Sequence, residues 1–167
     1  MRHLPTLLAA LTLISSLPTA AMAQTPSPTT GVSVAEVRSW LSGMGGAVGE
    51  PTTSNGVTTL HIADPIAWNL SFYSCGPTLC DDAQFNTAFT GQITPDQINA
   101  WNRDHRFLMA FLMPSATRGG DSRAVVQYDV LLTGNGTEQL RDPIVLWLQL
   151  LRDFSQYISS PSAAPRQ

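Results

Sequence analysis

Few residues in this sequence are of types that do chemistry, and their spacing limits what that chemistry could be. Cys75 and Cys80 could form a disulfide, a redox dithiol or half of a zinc site shared with His61 and His105. Their Cys-x4-Cys spacing is not the Cys-x-x-Cys of redox motifs, and no metal-finger spacing ties the histidines to them. A structural disulfide is the favoured reading, with no metal and no other cofactor. Asp81 and Asp82 are a carboxylate pair, but neighbours on a strand point to opposite faces and make a poor acid–base dyad. The dense polar and aromatic run is Asn99-Ala100-Trp101-Asn102-Arg103-Asp104-His105-Arg106-Phe107. On a helix, Asn99 and Asn102 are neighbours three apart, and Trp101 and His105 four apart. Two roles fit this run. Its amides, with Arg106 opposite Asp129, could hold backbone groups and register at a helix-to-strand junction. Alternatively, Trp101, Asn102 and Arg106 could line a small-molecule groove. The absence of a nearby nucleophile, base or metal set favours the structural role. The sequence contains no Gly-x-Ser-x-Gly, phosphate-cradling loop or His-Glu-x-x-His. No catalytic residue is assigned, and an enzyme is not expected.

The composition narrows the class further. The 167 residues include nine basic ones, all arginine, against twelve acidic, a net charge of −3. That leaves no basic patch for phosphate backbones, so nucleic acid is not an expected partner. Charged residues are 13% of the chain where globular proteins carry roughly 25%. Hydrophobic residues make up 43%, enough for one domain with a true core.

Residues 1–23 read as an address. Arg2 precedes an apolar run over 7–17, and Ala21-Met22-Ala23 supplies the small residues a signal peptidase reads. The run is about half of the ~20 residues that span a bilayer, so cleavage before Gln24 and no membrane span afterwards are expected. The mature chain would be exported, to the periplasm or outside the cell. There an oxidising environment favours joining Cys75 to Cys80.

The local pattern supports that bond independently. Trp68, Leu70 and Phe72 alternate with Asn69, Ser71 and Tyr73, and after Gly76-Pro77 the alternation resumes with Ala83, Phe85 and Phe89 inward. Pairing Cys75 with Cys80 sets Phe72 opposite Ala83, Leu70 opposite Phe85, Tyr73 opposite Asp82 and Asn69 opposite Asn86. Every apolar pair then shares one face, both cysteines fall on the polar one, and a one-residue slip destroys the agreement.

The remaining elements follow from caps and periodicity. Residues 24–32 are a Pro, Ser and Thr-rich flexible lead-in. Ser33 and Glu36 have capping-box spacing before a helix bearing Val34, Val37, Leu41 and Met44, ended by Gly45-Gly46. Two strands, 47–53 and 57–63, flank the turn signal Asn55-Gly56. A second helix starts at Thr94, with Pro95 at its first position and Gln97 completing a capping box. The unbroken apolar run 107–113 reads as a central, two-sided buried strand, and 125–132 as its partner. The last helix starts near Thr137 or restarts at Asp142-Pro143. It carries one stripe of Ile144, Trp147, Leu148, Leu151, Phe154 and Ile158, and a second of Leu146, Leu150 and Tyr157. The second stripe is covered either by the chain's own sheet and first helix or by a twin subunit or captured segment. Residues 159–167 form a tail expected to be disordered. The order is α-β-β-β-β-α-β-β-α: an α+β domain over 33–158, with an antiparallel sheet of five to six strands packed with three helices.

The run Thr94-x-x-x-Ile98-Asn99-x-Trp101-Asn102, followed by Arg106-Phe107-x-x-Ala110, resembles the bacterial YbjN domain family of sensory transduction regulators. The cysteine hairpin ending in Phe85 and Phe89, the stretch Asp129-Val130-Leu131-Leu132, and a last helix with Trp147 and Phe154 are similar too. The resemblance spans about 34–158. It implies a fold like that of type III secretion chaperones, which are usually dimeric and bind extended protein segments, and it carries over no catalytic residue. The export signal and disulfide depart from the family's more typical pattern. The expectation is an exported, non-enzymatic interaction protein, chaperone-like or regulatory, with a protein partner or a homodimer. The alternatives are a small-molecule binder or enzyme using Trp101, Asn102 and Arg106, and an envelope structural factor.

Overall fold

The structure, a computed structural model, describes residues 29–160 except 114, 116, 118 and 119. The leader and most of the lead-in and tail expected above lie outside the described residues.

Helix α1 (Val34–Gly43) is followed by strands β1 (Thr52–Ser54), β2 (Val57–Ile62), β3 (Trp68–Cys75) and β4 (Cys80–Gly91). Helix α2 (Pro95–Asp104), strands β5 (Met109–Met113) and β6 (Ser122–Leu131), a 3-10 turn (Thr137–Leu140) and helix α3 (Arg141–Ser159) complete the chain. The six strands form one antiparallel sheet in the order β1-β2-β3-β4-β6-β5. The expected class and element order are therefore observed, and the last helix has both starts, a 3-10 turn at Thr137 and an α-helix from Arg141.

Burial selects the register. Across β3 and β4 the partners are Asn69↔Asn86, Leu70↔Phe85, Phe72↔Ala83, Tyr73↔Asp82 and Cys75↔Cys80, the pairing that puts all apolar residues on one face. The two cysteines are bonded, with Cα atoms 4.0 Å apart. Trp68, Phe85 and Trp147 of α3 meet in one aromatic cluster, and Phe154 lies on Phe89. Helix α2 closes against α3 through Trp101, edge-on to Phe154 at 5.0 Å. At the first hairpin Asn55 and Gly56 take φ of 50° and 78°, the pair of positive angles a two-residue turn of this hand requires.

Four local expectations need correction. Ser33 makes no side-chain cap bond, so the first capping box does not form, whereas Thr94 and Gln97 form theirs. Met44 lies beyond the last turn of α1 and is exposed. β1 is only three residues, joined upstream by an isolated bridge from Val48 to Ile62. Finally, Cys80 is not on a polar surface: Val32 pairs with it through two backbone bonds of 3.0 and 2.9 Å and leaves it 4% exposed. The ordered domain thus begins inside the stretch read as lead-in. Gly31 has φ +124°, and a Cβ there would stand 2.1 Å from the Cys80 carbonyl oxygen, so this entry to α1 requires glycine.

Candidate functional site

The Trp101–Asn102 cluster is built from the end of α2 and the start of β5. Trp101 is 1% exposed, donates from Nε1 to Leu108 O at 3.1 Å, and stacks on His105 with ring centroids 3.6 Å apart. His105 Nδ1 lies 3.1 Å from Trp101 O and so carries the proton that it donates there. Asn102 donates from Nδ2 to Ala110 O at 2.7 Å and accepts at Oδ1 from Ala110 N at 2.9 Å. An amide side chain thus takes the place a neighbouring strand would occupy along the outer edge of β5. Between them Phe107 has φ 71°, and Leu108 N donates to Arg106 O, a tight three-residue turn of strained hand. Tyr157 is drawn into the same cluster, donating from Oη to Gln97 O at 3.1 Å. Asn99 is exposed on the far side of α2. Arg106 and Asp129 are not paired. The Arg106 guanidinium lies 5.3 Å above the Phe107 ring, and Asp129 accepts from Gln84 Nε2 at 2.7 Å. The physical reason is register: Met109 faces Gln127, so Arg106 falls past Asp129. Trp101 and Asn102 spend these polar groups on the backbone of Leu108 and Ala110.

The expected surface on α3 is largely used inside the molecule. Leu150 and Tyr157 pack on the core and Leu146 is half-buried, although Val145 of the same helix is exposed. The larger exposed apolar group is elsewhere. β5 is an edge strand with helices on one face only, so Met109, Phe111 and Met113 project from the other, 55%, 42% and 48% exposed, with Leu131 of β6 at 76%. The unbroken apolar run had implied burial on both sides. Nothing in one sequence tells a strand covered twice from one whose second face is left open.

That open face carries a polar lattice beside its apolar margin. One row across the sheet is His61, Asn69, Asn86, Gln127 and Met109; the next holds Thr59, Ser71, Gln84 and Asp129. The groups bond to one another. Asn69 Nδ2 donates to Asn86 Oδ1 at 3.1 Å, Asn86 Nδ2 to Ser71 Oγ at 3.2 Å, and Gln127 Nε2 to Gln84 Oε1 at 3.0 Å. His61 Nδ1 joins Asn69 Oδ1 at 3.0 Å. Asp82 and Asp129 stand at one end of this face, with Asp81 adjacent in the chain on the opposite face, and burial with the charges of Asp129 and Asp81 pushes the Asp82 carboxyl above its ordinary range. Arg123 stands at the other end. Among the described residues the ion pairs are Arg38–Glu50, Arg103–Asp104 and Arg141–Glu138, and Arg123 is in none of them.

A groove of about 550 Å³ opens between α1 and the hairpin tip, lined by Ser33, Arg38, Glu50, Thr58, Cys75 and Cys80. Arg38 there is tied to Glu50 and to Gly49 O. No cluster of three metal-ligating side chains occurs among the described residues, and no described helix is long and apolar enough to cross a membrane.

The profile of the YbjN family, described as "putative bacterial sensory transduction regulator", matches residues 33–159. The chain belongs to the YbjN family. Among solved structures it is similar to "YbjN, a putative transcription regulator from E. coli", with 17% identity, a TM-score of 0.44, and 73% of this chain and 85% of that chain covered. No curated protein matches. In this YbjN chain, the residues that carried the sequence resemblance, Trp101, Asn102, Arg106 and Phe107, are those that fix the turn between α2 and β5. The family thus accounts for a regulatory or interaction-type protein, and these residues account for the α2–β5 junction.

Proposed function

We propose that this YbjN protein is an exported, non-enzymatic interaction module, chaperone-like or regulatory, that works by laying the open face of its sheet on another protein surface. The observation that carries this reading is the exposed apolar row Met109, Phe111 and Met113 along β5 beside a polar lattice that is already hydrogen-bonded within itself. Isolated exposed apolar residues are ordinary, but a contiguous set rimmed by polar groups marks a contact surface. The internally bonded amides lower the cost of covering the face, because few polar groups lose water unpaired. The Cys75–Cys80 bond fits an oxidising compartment. The small-molecule reading has no support from Trp101 and Asn102, whose hydrogen-bonding groups are taken up by Leu108 and Ala110.

Two experiments test the reading. Cell fractionation with N-terminal sequencing should place the protein outside the cytosol starting at Gln24. A photo-crosslinking residue in place of Phe111 should give adducts in cells where one in place of Leu146 gives fewer. Adducts at Leu146 alone would move the contact to α3. A probe at Phe111 that captures nothing would end the sheet-face proposal, and a cytosolic protein with its leader intact would end the exported one.

A further inference from the structure

We infer that the Cys75–Cys80 bond is a thiol-exchange site, opened at Cys75 by a low-molecular-weight thiol that enters the groove beside it, and that opening releases a strained hairpin tip. The bond is a target of exchange, not a catalyst of it.

Access to the two sulfurs is unequal. Both cysteines line the groove of about 550 Å³ between α1 and the hairpin, a volume that admits a thiol the size of a short peptide. Cys75 is exposed, whereas Cys80 is 4% exposed. Two backbone bonds to Val32, of 3.0 and 2.9 Å, hold Cys80 in place independently of its sulfur. An attacking thiolate therefore reaches Cys75, and Cys80 is the leaving group. Exposed disulfides are the labile ones, and those that close long loops contribute most to folding. This bond joins residues only five apart, so the domain does not depend on it.

The backbone beside the bond is strained. Ser74 has φ 49°, the left-handed region in which an L side chain crowds its own backbone. The β3–β4 ladder passes from Tyr73↔Asp82 to Cys75↔Cys80 with no Ser74 pair between them. Such a conformation lasts only while its surroundings enforce it. Here the ladder holds Ser74 from one side and the disulfide from the other. Beyond the disulfide, the tip is closed by Gly76 N donating to Leu79 O at 2.8 Å. Opening the bond lets Ser74 return to extended backbone and frees the tip from its place over the groove.

The exchange conserves atoms and electrons. The thiolate forms a new S–S bond to Cys75 Sγ as the Cys75–Cys80 bond breaks, and the electron pair leaves on Cys80 Sγ, which takes a proton from water. A second thiolate attacks the sulfur of the bound thiol and releases Cys75. Two thiols are then oxidised to one disulfide, and the protein gains their two electrons. In the reverse direction Cys80, still held by Val32, attacks the mixed disulfide at Cys75 and expels the thiol.

Reduced glutathione added to the purified mature protein, with acid quenching and peptide mass spectrometry, tests the site. One glutathione should appear on Cys75 while Cys80 is a free thiol. The rate should be proportional to glutathione and unchanged by urea too dilute to unfold the domain. Circular dichroism should show the opened chain folded, with amide exchange faster within 74–79. With oxidised glutathione, Cys80→Ser should be labelled rapidly at Cys75 and Cys75→Ser slowly at Cys80. Ser74→Gly relieves the strain and should need about threefold more reduced glutathione to open. A first adduct on Cys80, opening that occurs only where urea unfolds the domain, equal labelling of the two serine variants, or a Ser74→Gly chain that opens as readily as wild type would overturn it.

Discussion

Asn102 does for β5 what a seventh strand would have done, and its cost of removal can be stated. Its amide makes two bonds to Ala110, each worth about 1 kcal/mol net. Asn102→Ala should lose about 2 kcal/mol in urea unfolding. It should also raise aggregation, because it uncovers an edge whose exposed side chains are apolar. Asn102→Asp should fare no better, since it keeps an acceptor for Ala110 N and sets a charge against Ala110 O. Asp82 gives a prediction in pH. Burial and the Asp129 and Asp81 charges raise its carboxyl above 3.8, so the folded state binds that proton more tightly than the unfolded chain. The group favours folding below 3.8, and the advantage is lost as pH climbs through its raised folded value. Asp82→Asn in dilute protein should therefore raise Tm near pH 7, and the difference from wild type should vanish below 3.8. A Tm gain that persists unchanged in acid would refute this cause. The amides at 99–102 were legible as polar groups at a junction. Which of them faced the strand was not, because that depends on where β5 begins.

Among the elements, the entry to α1 and the β3–β4 hairpin depend on each other. Val32 bonds to Cys80, Gly31 N donates to Gly134 O at 2.7 Å, and Gly136 N donates to Gly31 O at 3.2 Å. One short segment therefore ties the hairpin tip to the loop after β6. Gly31→Ala should unfold the domain at markedly lower denaturant, because the new methyl meets backbone and cannot be relieved by turning a side chain. Changing Cys75 and Cys80 together to serine should cost about 2 kcal/mol by loop-closure entropy, measured in the same assay with and without reductant. Wild type in reductant should match the variant. The hairpin register was readable because alternation and the cysteine pairing agreed. The Gly31–Val32 strap was not, because two residues carry no period, and their partners lie some fifty and one hundred positions away in the chain.

Across the whole molecule the sheet has two unlike faces. The covered one is held by Trp147, wholly buried between Trp68 and Phe85, with its Nε1 lacking a hydrogen-bond partner among the described residues. Trp147→Ala should cost about 3–5 kcal/mol by calorimetry or urea, as for other large aromatic truncations. Trp147→Phe should cost much less, since it removes an unsatisfied donor along with part of the ring. The open face bears the proposed contact, so substitutions of its exposed Met109, Phe111 and Met113 should alter association while leaving stability nearly untouched.

The sequence by itself determined the class, the order of elements and the central register. Those follow from periodicity, caps and turn residues, and each acts over a few positions. Family membership was legible as well, because Trp101, Asn102, Arg106 and Phe107 sit close together in the chain. Only the tertiary structure decided that β5 is an edge, that Cys80 is buried, and that Arg106 misses Asp129. Those outcomes depend on which distant segment arrives beside a residue. An apolar run states a preference for leaving water, and the packing of the rest of the chain settles how many of its sides can do so.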